Sequence, residues 1–309
     1  MDINSFMPSE EECALVLRDV RWREGVCCPR CGSHSVVKHG RHLKVYQRYL
    51  CKGCGQHFND RTGTQFDDSK LPLRVWFFIA FLMQYQVSVK EIAKTAKISY
   101  LTAFNRTKML RRSLHRSQLR EKMKGIVELD EVYVTAGLKG KQDLKRSPRV
   151  RGLKVRGRGT YKTDKPPIMG MVERGGAVRI IPASDVRGRT ALRRVMKHID
   201  DEAEAIYTDE YPAYHILDGF CNHQTVNHSQ GEYARGGGIH INTVEAEFSV
   251  FRPWMSTYRG ISKEKLYLYR AQYNFLRNTR EEDRARRAAA IAISHPTNIE
   301  QYSCTISFI

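Results

Sequence analysis

Gly238-Ile-His-Ile-Asn-Thr-Val-Glu-Ala-Glu-Phe-Ser-Val-Phe-Arg252 reads as an amphipathic helix entered through a glycine. Val244, Phe248 and Phe251 recur at i, i+4 and i+7, which marks one apolar stripe. Asn242, Glu245, Ser249 and Arg252 share a neighbouring face. Asp209 stands thirty-six positions before Glu245, in Ala205-Ile-Tyr-Thr-Asp209. Far upstream, Asp130 lies in Gly125-Ile-Val-Glu-Leu-Asp130-Glu-Val-Tyr-Val. Each Asp ends or interrupts a short β-branched run of the kind that forms a buried strand. Two strand carboxylates and one helix carboxylate, in a basic chain, point to a metal site acting on phosphates.

The chemistry favours that grouping. Metal ions ~3.5–4 Å apart activate an attacking oxygen and stabilise a leaving one, and Mg²⁺ or Mn²⁺ prefer carboxylate and water ligands. Two bare carboxylates ~5 Å apart repel by roughly 3 kcal/mol at an effective dielectric of about 20, so a purely structural protein gains nothing by clustering them. Taken singly, each acid is better read as a solvated surface group; it is three of them at strand, strand and helix positions, with the basic segment, that shift the balance. Glu131 is an alternative to Asp130, but strand alternation sends it to the opposite side.

The chain has 309 residues and a formal net charge of +19. Between 138 and 165 there are eleven Lys or Arg against two Asp, a net +9. That clustering selects nucleic acid as partner over a membrane surface, because the segment has no amphipathic apolar face. No apolar run reaches the ~18 residues a membrane span needs. The start, Met1-Asp-Ile-Asn-Ser, lacks a secretory pattern, so a cytoplasmic location is the default expectation.

Cysteine placement defines a metal site. Cys28-Pro-Arg-Cys31 and Cys51-Lys-Gly-Cys54 are two C-x-x-C knuckles nineteen residues apart. Together they close a tetrahedral Zn²⁺ site with no open position, so the zinc is structural. Cys27 is a bystander. Strand-like runs between the knuckles complete a zinc ribbon over 25–60, after a helix in 1–24 that starts at the Ser9/Glu12 capping box.

A helical domain follows over 66–120. Leu71–Met83 reads as a buried helix with Ser69 as its cap. Ile92, Ala93, Ala96, Ile98 and Ala103 match a helix-turn-helix core, with Lys97 where a turn glycine is common. The second helix is then expected to present Asn105, Arg106, Lys108, Arg111 and Arg112. An ordinary helical hairpin fits the same pattern.

The third region, 124–280, reads as strand 126–134, basic insertion 138–165, strands 168–174 and 177–182, helix 189–199, strands 204–209 and 224–227, and helix 242–252. That order fits an α/β fold with a mixed sheet of the ribonuclease H-like kind. Gly236-Gly-Gly238 reads as a flexible approach to the last helix. Residues 281–309 read as a tail without function.

These motifs resemble the DDE-class transposases of bacterial insertion sequences, in the group with an amino-terminal zinc ribbon. The likeness lies in the two knuckles, Thr62-Gly-Thr64, Leu129-Asp130-Glu131, Tyr207-Thr-Asp209 and His240-x-Asn242-x-x-Glu245 with Arg252, and runs from about Cys28 to Arg280. Thirty-five residues separate Asp209 and Glu245, a spacing typical of the class. The resemblance implies that Asp130, Asp209 and Glu245 hold Mg²⁺ or Mn²⁺, with Asn242 the alternative third ligand, since relatives are often described with Asn there. Arg252 stands where many relatives carry Lys and would meet phosphate. His240 would hydrogen-bond or act in catalysis. The reaction implied is transposition: cleavage at the element's ends, then attack of the freed 3′-hydroxyl on target DNA. The DNA would be held by the ribbon, the helix-turn-helix and the insertion, through Lys139, Lys141, Lys145, Arg146, Arg149, Arg151, Lys154, Arg156 and Arg158. A homo-oligomer is expected in the synaptic complex. A DNA-binding regulator derived from a transposase and a stand-alone metal-dependent nuclease are the rival readings.

Overall fold

The computed structural model describes residues 8–22, 24–117, 121–137, 164–258 and 260–293. The chain divides into two units: residues up to Ser117 together with those from Glu281 on, and residues 118–280.

In the first unit, helix α1 (Glu10–Arg21) starts at the expected capping box. The Glu12 amide donates to Ser9 Oγ (3.1 Å) and the Ser9 amide to the Glu12 carboxylate (2.7 Å). Strands β1 (Val36–His42), β2 (Tyr46–Cys51) and β3 (His57–Asn59) form an antiparallel sheet in that order. Its core is small: Cys28, Tyr49, Cys51 and Phe58, with Trp22 packed against them. Asp60, fully buried, ties α1 to the sheet by accepting from Arg18 Nη2 (2.9 Å), Trp22 Nε1 (3.1 Å) and Tyr49 OH (3.2 Å). A buried charge is tolerated when it is satisfied in this way.

Helices α2 (Leu73–Met83), α3 (Val89–Thr95) and α4 (Tyr100–Arg116) follow. Ser69 does not cap α2. Its Oγ accepts from the Leu71 amide and from Trp76 Nε1 instead. The first amides of α2, on Leu73 and Arg74, donate to the Glu10 carboxylate at 2.7 and 2.9 Å. Ser88 and Ser99 do cap α3 and α4, each through its Oγ at 3.1 Å. Lys97 takes the left-handed conformation (φ 53°) that a turn glycine would take. The expected basic face of α4 needs correction. Arg111 is buried and Arg106 lies over the Trp76 ring at 4.8 Å. Asn105 and Arg112 remain exposed, and Lys108 is half-buried.

The second unit begins with β4 (Ile126–Tyr133) and β5 (Ala136–Gly137), then β6 (Pro167–Glu173), β7 (Val178–Pro182) and helix α5 (Gly188–His198). It continues with β8 (Ala205–Asp209), β9 (His223–Val226), α6 (Asn242–Ser256), β10 (Ile261–Ser262) and α7 (Leu266–Asn278). The main sheet has the order β7-β6-β4-β8-β9. Its β7/β6 and β6/β4 pairs are antiparallel, whereas β4/β8 and β8/β9 are parallel. This is the ribonuclease H-like mixed sheet. Strand alternation sorts two cores. Val132, Ile168, Val172 and Ile180 meet Val244, Phe248, Phe251 and Tyr273 on one face. Val127, Leu129, Met169 and Ile181 meet Ala191 and Val195 on the other. On α6, Glu247 is buried and accepts from Arg277 Nη2 (2.7 Å) and Tyr273 OH, which fastens α6 to α7.

Two segments differ from their sequence reading. Gly236-Gly237-Gly238 closes as a turn, with the Arg235 amide donating to Ile239 O (2.8 Å) and Gly237 and Gly238 at φ 80° and 76°. Residues Arg284–Ile293 of the expected tail form helix α8, which belongs to the first unit and buries Ala288, Ala289, Ile291, Ala292 and Ile293. Within that unit the Gln65 side chain donates to Ala292 O, and Arg284 Nη1 donates to Tyr85 OH (3.0 Å). No helix among the described residues is long and apolar enough to cross a membrane.

Candidate active site

β4 and β8 run parallel with Glu128 opposite Tyr207. The ladder ends at that pair, and two residues further along each strand stand Asp130 and Asp209. Period two places Asp130 with Val132, and Asp209 with Tyr207, on the face covered by α6. Glu131 goes the other way: its carboxylate accepts from Tyr214 OH (2.6 Å), whose ring packs with Leu129 in the opposite core. Helix α6 carries Glu245 in its first turn, over the same face as the two aspartates.

Electrostatics link the three. The Asp130 carboxyl is pushed up to about 8 by burial, with the negative charges of Glu131, Asp209 and Glu245 acting in the same direction. Glu245 is half-exposed, with Oε1 3.8 Å from His228 Nδ1. Asn242, at the start of α6, and Arg252 are exposed. Among the described residues, only the four cysteines bring their ligand atoms all within 4.8 Å of one another. The oxygens of Asp130, Asp209 and Glu245 are thus not all within that reach of one another. The donor set is all oxygen, as Mg²⁺ and Mn²⁺ prefer.

Three residues that set this geometry were not singled out from sequence. Glu128 is fully buried on β4. Its Oε2 accepts from the amides of Thr243 (2.7 Å) and Val244 (3.0 Å), and its Oε1 from Thr243 Oγ1 (2.8 Å). Arg174 Nε donates to the same carboxylate at 2.7 Å, while its Nη atoms reach Gly238 O (2.8 Å) and His240 O (2.9 Å). Gly170, paired with Asp130 across β6, is where α6 comes down on the sheet. A Cβ there would meet Phe248 Cε1 at 2.5 Å. The available signal was a charged residue on the inner face of an apolar strand, two positions from Asp130. His240 Nδ1 lies 2.9 Å from Arg174 Nη2 and 3.3 Å from Glu128, a hydrogen-bonding place.

The second centre is the cysteine cluster. Cys28 and Cys54 Sγ lie 3.7 Å apart, and Cys31 and Cys51 Sγ 3.6 Å apart. Zn–S bonds of ~2.3 Å in a tetrahedron require S···S edges of roughly 3.8 Å, so the four thiols fit a zinc ion. The basic residues Lys139, Lys141, Lys145, Arg146, Arg149, Arg151, Lys154, Arg156 and Arg158 lie outside the described residues.

Family models match two stretches of the chain. The model of the ISXO2-like transposase domain matches residues 122–278, and that of the transposase zinc-ribbon domain matches residues 8–57. An uncharacterized protein in transposable element ISH50 of Halobacterium salinarum is 38% identical over 272 residues, covering 87% of this chain and 90% of that protein. Among solved structures, the Mos1 strand transfer complex is 13% identical, covering 69% of this chain and 73% of that one, with a TM-score of 0.26. The Mos1 mariner paired end complex with Mn is also 13% identical, with coverage of 68% and 77% and a TM-score of 0.19. At those scores the likeness carries no argument, and the fold rests on the strand order. The family match spans half the chain and the ISH50 relative nearly all of it, so the chain belongs to the ISXO2-like transposases, with a transposase zinc ribbon ahead of its DDE domain.

Proposed function

We propose that this transposase cuts DNA at the ends of its element and joins the freed 3′-hydroxyl to target DNA, with Asp130, Asp209 and Glu245 holding Mg²⁺ or Mn²⁺. The observation that carries this is that Asp130 on β4, Asp209 at the end of β8 and Glu245 in the first turn of α6 lie toward one face of the sheet. The Asp130 carboxyl is raised first by burial there and further by the charges of Glu131, Asp209 and Glu245. Such crowding is unfavourable without cations to relieve it. When bound, the ions supply charge that activates the attacking oxygen and stabilises the leaving one. Glu245 is preferred to Asn242 because a carboxylate holds a hard cation better than an amide does, and because its charge reaches Asp130. Arg252, exposed seven residues further along α6, would meet a phosphate near the cut.

The DNA would be held by the ribbon (25–60), the helical domain (66–120) and the insertion at 138–165 of the catalytic domain (124–280). Asn105 and Arg112, exposed on α4, with Lys108 half-buried beside them, suit a helix lying in a major groove. Bringing two element ends together calls for more than one copy of the chain.

The test is incubation of a labelled element end with target DNA in Mg²⁺ or Mn²⁺. Cleavage and joining are expected, and Asp209→Ala should abolish both while end binding persists. Cleavage without joining would leave a nuclease, and binding without cleavage a regulator.

A further inference from the structure

We infer that Glu128, together with Arg174, is a positioning pair that fixes where Glu245 stands relative to Asp130. The inference rests on the assignment of Glu245 as a ligand above. Helix α6 has no cap of its own: Ile241 occupies the N-cap position and no side chain of the helix closes its first turn. The first amides of a helix must find acceptors elsewhere. Here the Thr243 and Val244 amides share one acceptor, Glu128 Oε2, and it comes from β4.

The connection is short at both ends. Glu128 is two residues from Asp130 on the same face of β4. Val244, whose amide it holds at 3.0 Å, is the residue before Glu245. The two ligands are thus joined through a single side chain. Arg174 closes the other half, neutralising Glu128 while holding the carbonyls of Gly238 and His240 that lead into α6. Its guanidinium lies over the Tyr207 ring at 5.0 Å, which anchors it to β8, the strand of Asp209.

A stability role alone does not account for this arrangement. Desolvating a carboxylate and a guanidinium is expensive. Ile241, at the N-cap position, is buried in the core, so a local Ser or Asp cap there would give up that packing. With a local cap, the helix start would be held to the sheet by apolar packing alone, Val244 and Phe248 against Gly170. A cap that belongs to β4 adds a directed polar tie between the helix start and the strand that bears Asp130.

The test is Mn²⁺ binding to the whole chain, measured by calorimetry without DNA, for the parent, Glu128→Gln, Glu245→Ala and the double variant. Circular dichroism and end binding serve as fold controls. Outer partners of metal ligands typically change affinity by ~10–100-fold. Glu128→Gln is therefore expected to weaken Mn²⁺ binding about tenfold with end binding within about twofold. The double variant should bind no more weakly than Glu245→Ala alone, because Glu128 acts through Glu245. Losses that multiply in the double variant would overturn the inference. So would an unchanged Mn²⁺ affinity with a lowered melting temperature, or a Glu128→Gln chain that does not fold. A parent that binds no Mn²⁺ outside the ribbon, or a Glu245→Ala chain of unaltered affinity, would instead remove the ligand assignment itself.

Discussion

Asp130 carries the clearest electrostatic signature in the second unit. Its carboxyl titrates near 8 in the folded chain, against an ordinary value of 3.8. Between those values the folded state holds a proton that the unfolded chain has released. The unfolding free energy therefore falls as pH rises from about 4 to about 8, and levels off above that. In buffer without Mg²⁺ or Mn²⁺, the melting temperature of residues 118–280 should decline across that window, and Asp130→Asn should flatten the slope. A second residue-scale prediction concerns Lys97, held at φ 53° in the turn before α4. A left-handed conformation costs an L-residue roughly 1–2 kcal/mol, whereas glycine adopts it freely at some entropic cost. Lys97→Gly should raise first-unit stability by up to about 1 kcal/mol in denaturant titration.

Among the elements, α2 and α6 share one device. Each begins without a side-chain cap of its own, and each is capped by a carboxylate from a remote element, Glu10 for α2 and Glu128 for α6. Glu10→Ala should cost about 1–2 kcal/mol of first-unit stability, read as a lower denaturation midpoint. Gly170→Ala tests the seat of α6. A methyl group that meets Phe248 and Val244 should cost about 1–3 kcal/mol by overpacking and weaken Mn²⁺ binding by lifting the helix. These contacts also mark what could be read from the sequence. Periodicity showed β4, β8, the stripe of α6 and the alternation that separates Asp130 from Glu131, because such patterns are local. Remote capping leaves no local trace: Glu10 is 63 residues from Leu73, and Glu128 is 115 from Thr243. Gly170 stands in an apolar run where any small residue would look the same. Arg111 followed the charge pattern of α4 yet lies buried, since helical spacing says which side it faces but not what covers that side.

For the molecule as a whole, charge and metal decide behaviour. Each phosphate neutralised by the protein contributes about −0.9 to the slope of log affinity against log salt. With a net charge of +19, end binding should be steeply salt-dependent. Replacing Lys139, Lys141 and Lys145 by Ala should flatten the slope by roughly 0.9 for each phosphate that is no longer neutralised, as measured by titration at several salt concentrations. Zinc supports the first unit in a similarly separable way. The ribbon's buried cluster is only Cys28, Tyr49, Cys51 and Phe58, and zinc binding is worth about 10–16 kcal/mol in small finger peptides. Chelation should erase order in the ribbon while the ribonuclease H-like sheet keeps its own melting transition.

Helix α8 carries a consequence for synthesis. The unit that begins the polypeptide is not finished until residue 293 has emerged, because Ile291, Ala292 and Ile293 fill its interior. Residues 118–280 are all available earlier. At about 5–20 residues per second, domains generally fold as they leave the ribosome. Here the transposase domain can settle while the amino-terminal half still waits for its last helix. A nascent copy would complete its transposase domain before its zinc-ribbon unit matures, and a copy cut short before Arg284 would never complete that unit.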